Sequence, residues 1–74
     1  MPHINLKHFP APLTEEQRRE LVADLTAAVR KAFGCDEGVI SIALEPVAEA
    51  DWDERVYAPE IVGRKDLLHK TPNY

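Results

Sequence analysis

Length constrains this chain before any motif does. At 74 residues its surface is so large relative to its volume that one copy buries only a thin core, and chains this short usually lean on disulfides, a metal or association. Cys35 is the only cysteine, so no bridge within the chain is available. His3, His8 and His69 form no closely spaced zinc-binding pair, and a lone cysteine does not complete a soft-ligand set, so no metal site is expected. Association with further copies is the expected reinforcement.

Composition narrows the partners. The apolar fraction of 45% is ordinary for a folded domain and argues against disorder despite six prolines. Thirteen acidic against nine basic residues give a formal charge of -4. No Lys/Arg cluster stands out to follow a phosphate backbone, so nucleic acid is not an expected partner. The first ten residues hold no continuous apolar signal core, and no apolar run is long enough to span a bilayer. No membrane association and a cytoplasmic location are therefore expected.

From Pro2 to Phe9 the residues alternate. Ile4 and Leu6 share one face with Pro2, while His3, Asn5 and Lys7 share the other, the period of a half-buried strand. Pro10-Ala11-Pro12 stops it, because proline lacks the N–H that a ladder needs. Thr14 with Gln17 reads as a capping box opening a helix, helped by Glu15 and Glu16 at its positive end. Leu21, Val22, Leu25, Ala28, Val29, Ala32 and Phe33 make an apolar stripe at helical spacing, and Gly34 is the natural stop.

Val39-Ile40-Ser41-Ile42-Ala43-Leu44 is β-branched and apolar on both parities, as in a strand covered on both faces, and Pro46 closes it. Strand, helix and strand make a βαβ unit with parallel strands. Two strands are too few to stand alone, so the fold class is α/β with a four-stranded sheet completed across a dimer. Glu49-Ala50-Asp51 reads as a loop or short turn leading to Trp52. Pro59 and Glu60 read as the first turn of a second helix running to about Lys70, with Gly63 as a weak point inside it. No repeat or interdomain linker is present, and residues 1-74 read as one domain.

Pro2 is the residue with distinctive chemistry. Methionine aminopeptidases remove Met1 when the next residue is small, which would turn the Pro2 nitrogen from a tertiary amide into a secondary amine able to take a proton. Among apolar side chains the ammonium form is poorly solvated, and its pKa falls toward the working range of a general base.

Met-Pro-His-Ile at the start, Phe9-Pro10, Leu13-Thr14-Glu15-Glu16-Gln17, Ile40-Ser41-Ile42-Ala43-Leu44 and Trp52 together resemble the 4-oxalocrotonate tautomerase family. The similarity covers the whole chain. It is greatest to the dimeric bacterial branch that tautomerises phenylpyruvate, through the second helix and the final Lys70 to Tyr74. The resemblance implies a tautomerase needing no cofactor, with Pro2 moving a proton between carbon and oxygen of an α-keto acid or its enol. It also implies homodimers rather than hexamers, the second helix covering the sheet surface otherwise used for stacking.

Other members of the family carry one arginine just before the helix cap and another in the second strand, to hold carboxylates. Leu13 and Ser41 stand at those positions here. A pocket without these arginines favours a monocarboxylate with an aromatic or apolar tail. Trp52 is a candidate pocket wall and equally a core or interface aromatic. Ser41 is a candidate hydroxyl donor to substrate, or a small structural residue on a crowded sheet face. Lys7, His8 and Arg55 are the polar candidates to replace the arginines. The contrasting expectation is a non-catalytic dimeric binding or scaffold module on the same fold.

Overall fold

A computed structural model describes residues 1–74. Strand β1 (His3–His8) leads to helix α1 (Glu15–Phe33), and β2 (Ser41–Pro46) returns parallel to β1. The register pairs His3 with Ser41 and His8 with Pro46, so both strands start at one end of the sheet and finish at the other.

The helix forms where its sequence signals lie. Thr14 accepts from the Gln17 amide at 3.0 Å while the Gln17 side chain accepts from the Thr14 amide at 3.0 Å, satisfying two N–H groups that the first turn leaves open. Gly34 ends it with φ 63, a left-handed conformation costly to any residue with a Cβ. Leu21, Leu25 and Val29 are half-buried, but Val22, Ala28, Ala32 and Phe33 are exposed. The apolar stripe is thus wider than the two strands of one protomer cover.

The second strand begins later than its composition predicts. Asp36 accepts from the Gly38 amide at 3.1 Å and holds Glu37–Val39 in a 3₁₀ turn, so Val39 and Ile40 precede the strand. Pro46 is its last residue, and the ladder resumes beyond it through the Val47 amide, which donates to the His8 carbonyl at 2.8 Å. Cover on the second face is partial in the protomer: Ile42 and Leu44 on one face are half-buried, whereas on the other Ser41 and Ala43 are exposed, Glu45 is half-buried and Val47 buried.

The second helix differs most. It spans Asp53–Val62, is wound as a π-helix, and contains Pro59, which the sequence suggested as its start. In an α-helix the proline ring strikes the carbonyl four residues back. The wider winding relieves that contact, and the Gly63 amide reaches the Ala58 carbonyl at 2.9 Å. A Cβ at Gly63 would lie 2.7 Å from the Pro59 carbonyl oxygen, so the glycine permits close approach. A 3₁₀ turn at Lys65–Leu67 follows instead of a continuation to Lys70.

Ion pairs fasten this helix over the sheet face that α1 does not cover. Glu45 accepts from Asn5 at 2.9 Å and from Arg55 at 2.9 Å, and Glu60 pairs with Lys7 and Arg64. Val47 and Val56 beneath them are the only buried residues. The protomer is a slab of 35 × 32 × 19 Å with a radius of gyration of 13.9 Å, against about 11 Å for a compact chain of this length.

Candidate active site

Pro2 stands at the start of β1, half-buried, in an open cleft of about 470 Å³ that it lines with Ile4, Val29 and Phe33. Strand parity directs it to the same face as Ile4, and the C-terminal end of α1 supplies the other wall. The Pro2 carbonyl is tied to the neighbouring strand by the Ser41 amide at 3.2 Å. Met1 is fully exposed, so no packing holds it against the sheet. The Pro2 surroundings are apolar apart from His3, which also lines this cleft.

Ser41 is therefore close to Pro2 along the backbone, but its side chain is on the other face. Its hydroxyl and His3 Nδ1 are 2.6 Å apart. Ser41 is exposed, at the end of this sheet face away from the ion pairs that fasten the second helix.

Leu13 and Trp52 are at the opposite end. Trp52 packs edge-on against Phe9, ring centroids 5.0 Å apart at 87°, and its indole N–H donates to the Tyr74 hydroxyl at 3.2 Å. Phe9, Trp52 and Tyr74 line an aromatic cleft of about 580 Å³ with Lys7, His8 and Asp53. A second cleft of about 330 Å³ lies beside it on the α1 side, lined by Leu13, Leu44, Pro46, His8 and Arg18 among others. Five register steps along paired strands separate the two ends, about 17 Å at 3.3 Å per residue. One protomer does not bring Pro2 together with Trp52 or Leu13.

The three polar candidates have different surroundings. Lys7 is paired with Glu60 and Arg55 with Glu45, so both are committed within the protomer. A hydrogen bond to Asn5, joined by the charges of Lys7 and Arg55, holds the Glu45 carboxyl below the usual range, with burial opposing. His8 donates from Nδ1 to the Phe9 carbonyl at 2.6 Å, which leaves Nε2 free. Tyr74 and Arg18 line these clefts without having been site candidates in the sequence. Tyr74 entered only through the resemblance of the final Lys70 to Tyr74 and carried no periodic signal. Arg18 did, because it stands three residues before Leu21 and seven before Leu25, in phase with the apolar stripe.

Sequence comparison accords with this architecture. The family model described as "Tautomerase enzyme" matches residues 2–53, from the strand that Pro2 opens to the residue after Trp52. The protein named Tautomerase PptA of Pectobacterium carotovorum subsp. carotovorum (strain PC1) is 39% identical over 74 residues, all of this chain and 97% of the relative. The proteins of that name from Enterobacter sp. (strain 638) and Escherichia coli O9:H4 (strain HS) are 36% and 35% identical over the same shares. The chain belongs to the tautomerase family.

Proposed function

We propose that this protein is a cofactor-independent tautomerase in which Pro2, freed by removal of Met1, is the general base. The observation that carries the reading is the half-buried position of Pro2 against Ile4, Val29 and Phe33, where an ammonium loses solvation and a neutral amine is favoured. The substrate is a monocarboxylic α-keto acid or its enol with an aromatic or apolar tail, and phenylpyruvate is the natural probe. In ketonisation the amine takes the enol O–H proton and returns a proton to the neighbouring carbon. The C=C pair becomes the new C–H bond as C–O becomes C=O. No electrons leave the substrate, so the step calls for no redox group.

The active unit is a homodimer, with the 74 residues of each copy acting as one domain. The protomer exposes 5983 Å², whereas a compact monomer of 8.4 kDa exposes about 4,600 Å². The excess of about 1,400 Å² exceeds the roughly 800 Å² that one partner contributes to a standard interface. Both strands have a free edge, and a two-fold axis perpendicular to the sheet would pair edges antiparallel to give four strands. That symmetry sets the start of one β1 beside the far end of the other sheet and keeps both helices on one face. Pro2 of one copy then meets the clefts carrying Leu13 and Trp52 of its partner, and neither copy has a whole site alone. Ser41 approaches substrate only if its hydroxyl leaves His3, so its contribution is to hold the strand that bonds Pro2.

The test is the ketonisation rate of enol-phenylpyruvate with the native protein and Pro2→Ala, beside the intact mass of each. Native chains should be short by one methionine and active. Retention of Met1 in protein from its own cell, or equal activity of Pro2→Ala, would refute the base and favour a non-catalytic binding module.

A further inference from the structure

Two permanent cations line the clefts at the far end of the sheet: Lys7 is held by Glu60, whereas Arg18 is held only loosely, by an exposed Glu15. The Arg18 guanidinium is 3.8 Å from its nearest carboxylate oxygen on Glu15, and both side chains are well exposed. Lys7, Arg55 and Arg64 are engaged by Glu60 and Glu45 instead. Arg18 lines the cleft of about 330 Å³ whose other walls include Leu13, Leu44 and Pro46. Its backbone is well fixed, because the Arg18 amide donates to the Thr14 carbonyl at 3.0 Å and so closes the first turn onto a fully capped end. Side chains on a helix lean toward its N-terminus, which carries the Arg18 stem back over the turn that Leu13 enters.

From this we infer that Arg18 binds the substrate carboxylate, taking a role that neither Leu13 nor Ser41 can fill. The inference rests on the reading that the partner's N-terminal proline completes this cleft. A guanidinium offers two parallel N–H donors to a carboxylate, and the positive end of α1 favours an anion at the same place. The apolar lining suits the substrate tail, while a single loosely held cation suits one carboxylate rather than two. Arg18 is a specificity-determining residue here, and proton transfer belongs to Pro2.

The experiment compares the native protein with Arg18→Gln, Arg18→Lys and Arg19→Gln, the last a neighbouring exposed arginine that lines no cleft described above. Two readouts are taken: kcat and KM for enol-phenylpyruvate, and the Kd of trans-cinnamate, an aryl monocarboxylate that cannot tautomerise. Neutral cinnamamide serves as its uncharged control. Arg18→Gln should lose about ten- to hundred-fold in kcat/KM, chiefly through KM, and a similar factor in cinnamate affinity, the size of a charge-assisted hydrogen bond. Cinnamamide affinity should not move, Arg18→Lys should recover part of the loss, and Arg19→Gln should match the native protein.

Native-like cinnamate binding by Arg18→Gln overturns the assignment. So does an equal loss of cinnamate and cinnamamide, or failure of the native protein to bind cinnamate. The two readings fail separately. A native protein that binds cinnamate through Arg18 yet leaves enol-phenylpyruvate unchanged keeps the anion site and loses the tautomerase proposal. Equal turnover by native protein and Arg18→Gln does the reverse.

Discussion

The two ends of the sheet are chemically unlike. At the start of the strands Pro2 sits against Ile4, Val29 and Phe33 with His3 as the one ionisable side chain of the cleft. At the finish, His8 and Arg18 line one cleft with Leu13, and Trp52, Phe9 and Tyr74 line its neighbour. The first end suits a base that must give up its proton easily, because nothing apolar stabilises an ammonium. The second suits an anion with an aromatic tail. On the proposed division between two copies, each end is built for one task and dimerisation is a condition of activity.

The largest effect expected is at the first end. General bases contribute about 10² to 10⁴-fold, so Pro2→Ala, which keeps a free amine of altered basicity and geometry, should cost a substantial part of that factor. The rising limb of the pH–rate profile should shift with it. A profile unchanged in height and position would mean that Pro2 is not the titrating base.

Mixing tests the division itself. Pro2→Ala and Arg18→Gln homodimers each carry one damaged half in every site. Unfolded together and refolded at equal amounts, half of the dimers are mixed, and each mixed dimer has one intact site and one with both changes. Activity should return to about a quarter of native, a statistical limit, provided both parents are nearly inactive. No recovery would place both groups in the site of a single chain. Light scattering on the native protein should give twice 8.4 kDa, and a mass near six protomers would break the symmetry argument.

How much of this the sequence disclosed depends on whether a signal had a phase. Thr14, Gln17 and Gly34 each mark one position, and α1 runs between them as read. Val39 to Leu44 is apolar on both parities, which identifies a strand without fixing its first residue. The start was decided by Asp36 turning back onto Gly38, a local bond that competes with the ladder. Pro59 misled for a related reason: proline favours a first turn, but a wider helix also accepts it in its interior, as here. The separation of Pro2 from Trp52 was in principle legible. Parallel strands place the residue opening the first and the residue following the second at opposite ends. The charge partners of Lys7 and Arg55 were not, because they depend on where the misread helix lies.

A smaller effect is expected in substrate choice. Without the arginines that Leu13 and Ser41 replace, and with Lys7 and Arg55 paired, the far end has one cation to offer a second carboxylate only by withdrawing it from the first. The kcat/KM for enol-phenylpyruvate should exceed that for 2-hydroxymuconate by about ten-fold or more, the worth of one lost charge-assisted contact. Equal values would mean that a further cation reaches the site, and single replacement of Lys7, His8 and Arg55 would identify it.

The smallest effect lies between the two ends, where Glu45 and Glu60 tie the C-terminal helix to the sheet. The Glu45 carboxyl is held below its ordinary range, first by the Asn5 hydrogen bond and then by the charges of Lys7 and Arg55. A group whose folded pKa is depressed contributes stability above its unfolded pKa and loses it as pH falls through the folded value. Native protein and Glu45→Gln should therefore differ in Tm at neutral pH, with the native higher, and the gap should close as pH drops below the usual carboxylate range. Because the side chain is more than a third exposed, water and salt screen the pair and the gap should be small. Asn5→Ala, which removes the largest single cause, should raise the Glu45 pKa, followed by NMR titration, and Arg55→Ala should raise it as well. If removing Arg55 raised it more, the carboxylate would be held by charge rather than by the amide. The pairing that keeps Arg55 away from a substrate would then weaken with salt, and high ionic strength would blur the difference between the two ends of the sheet.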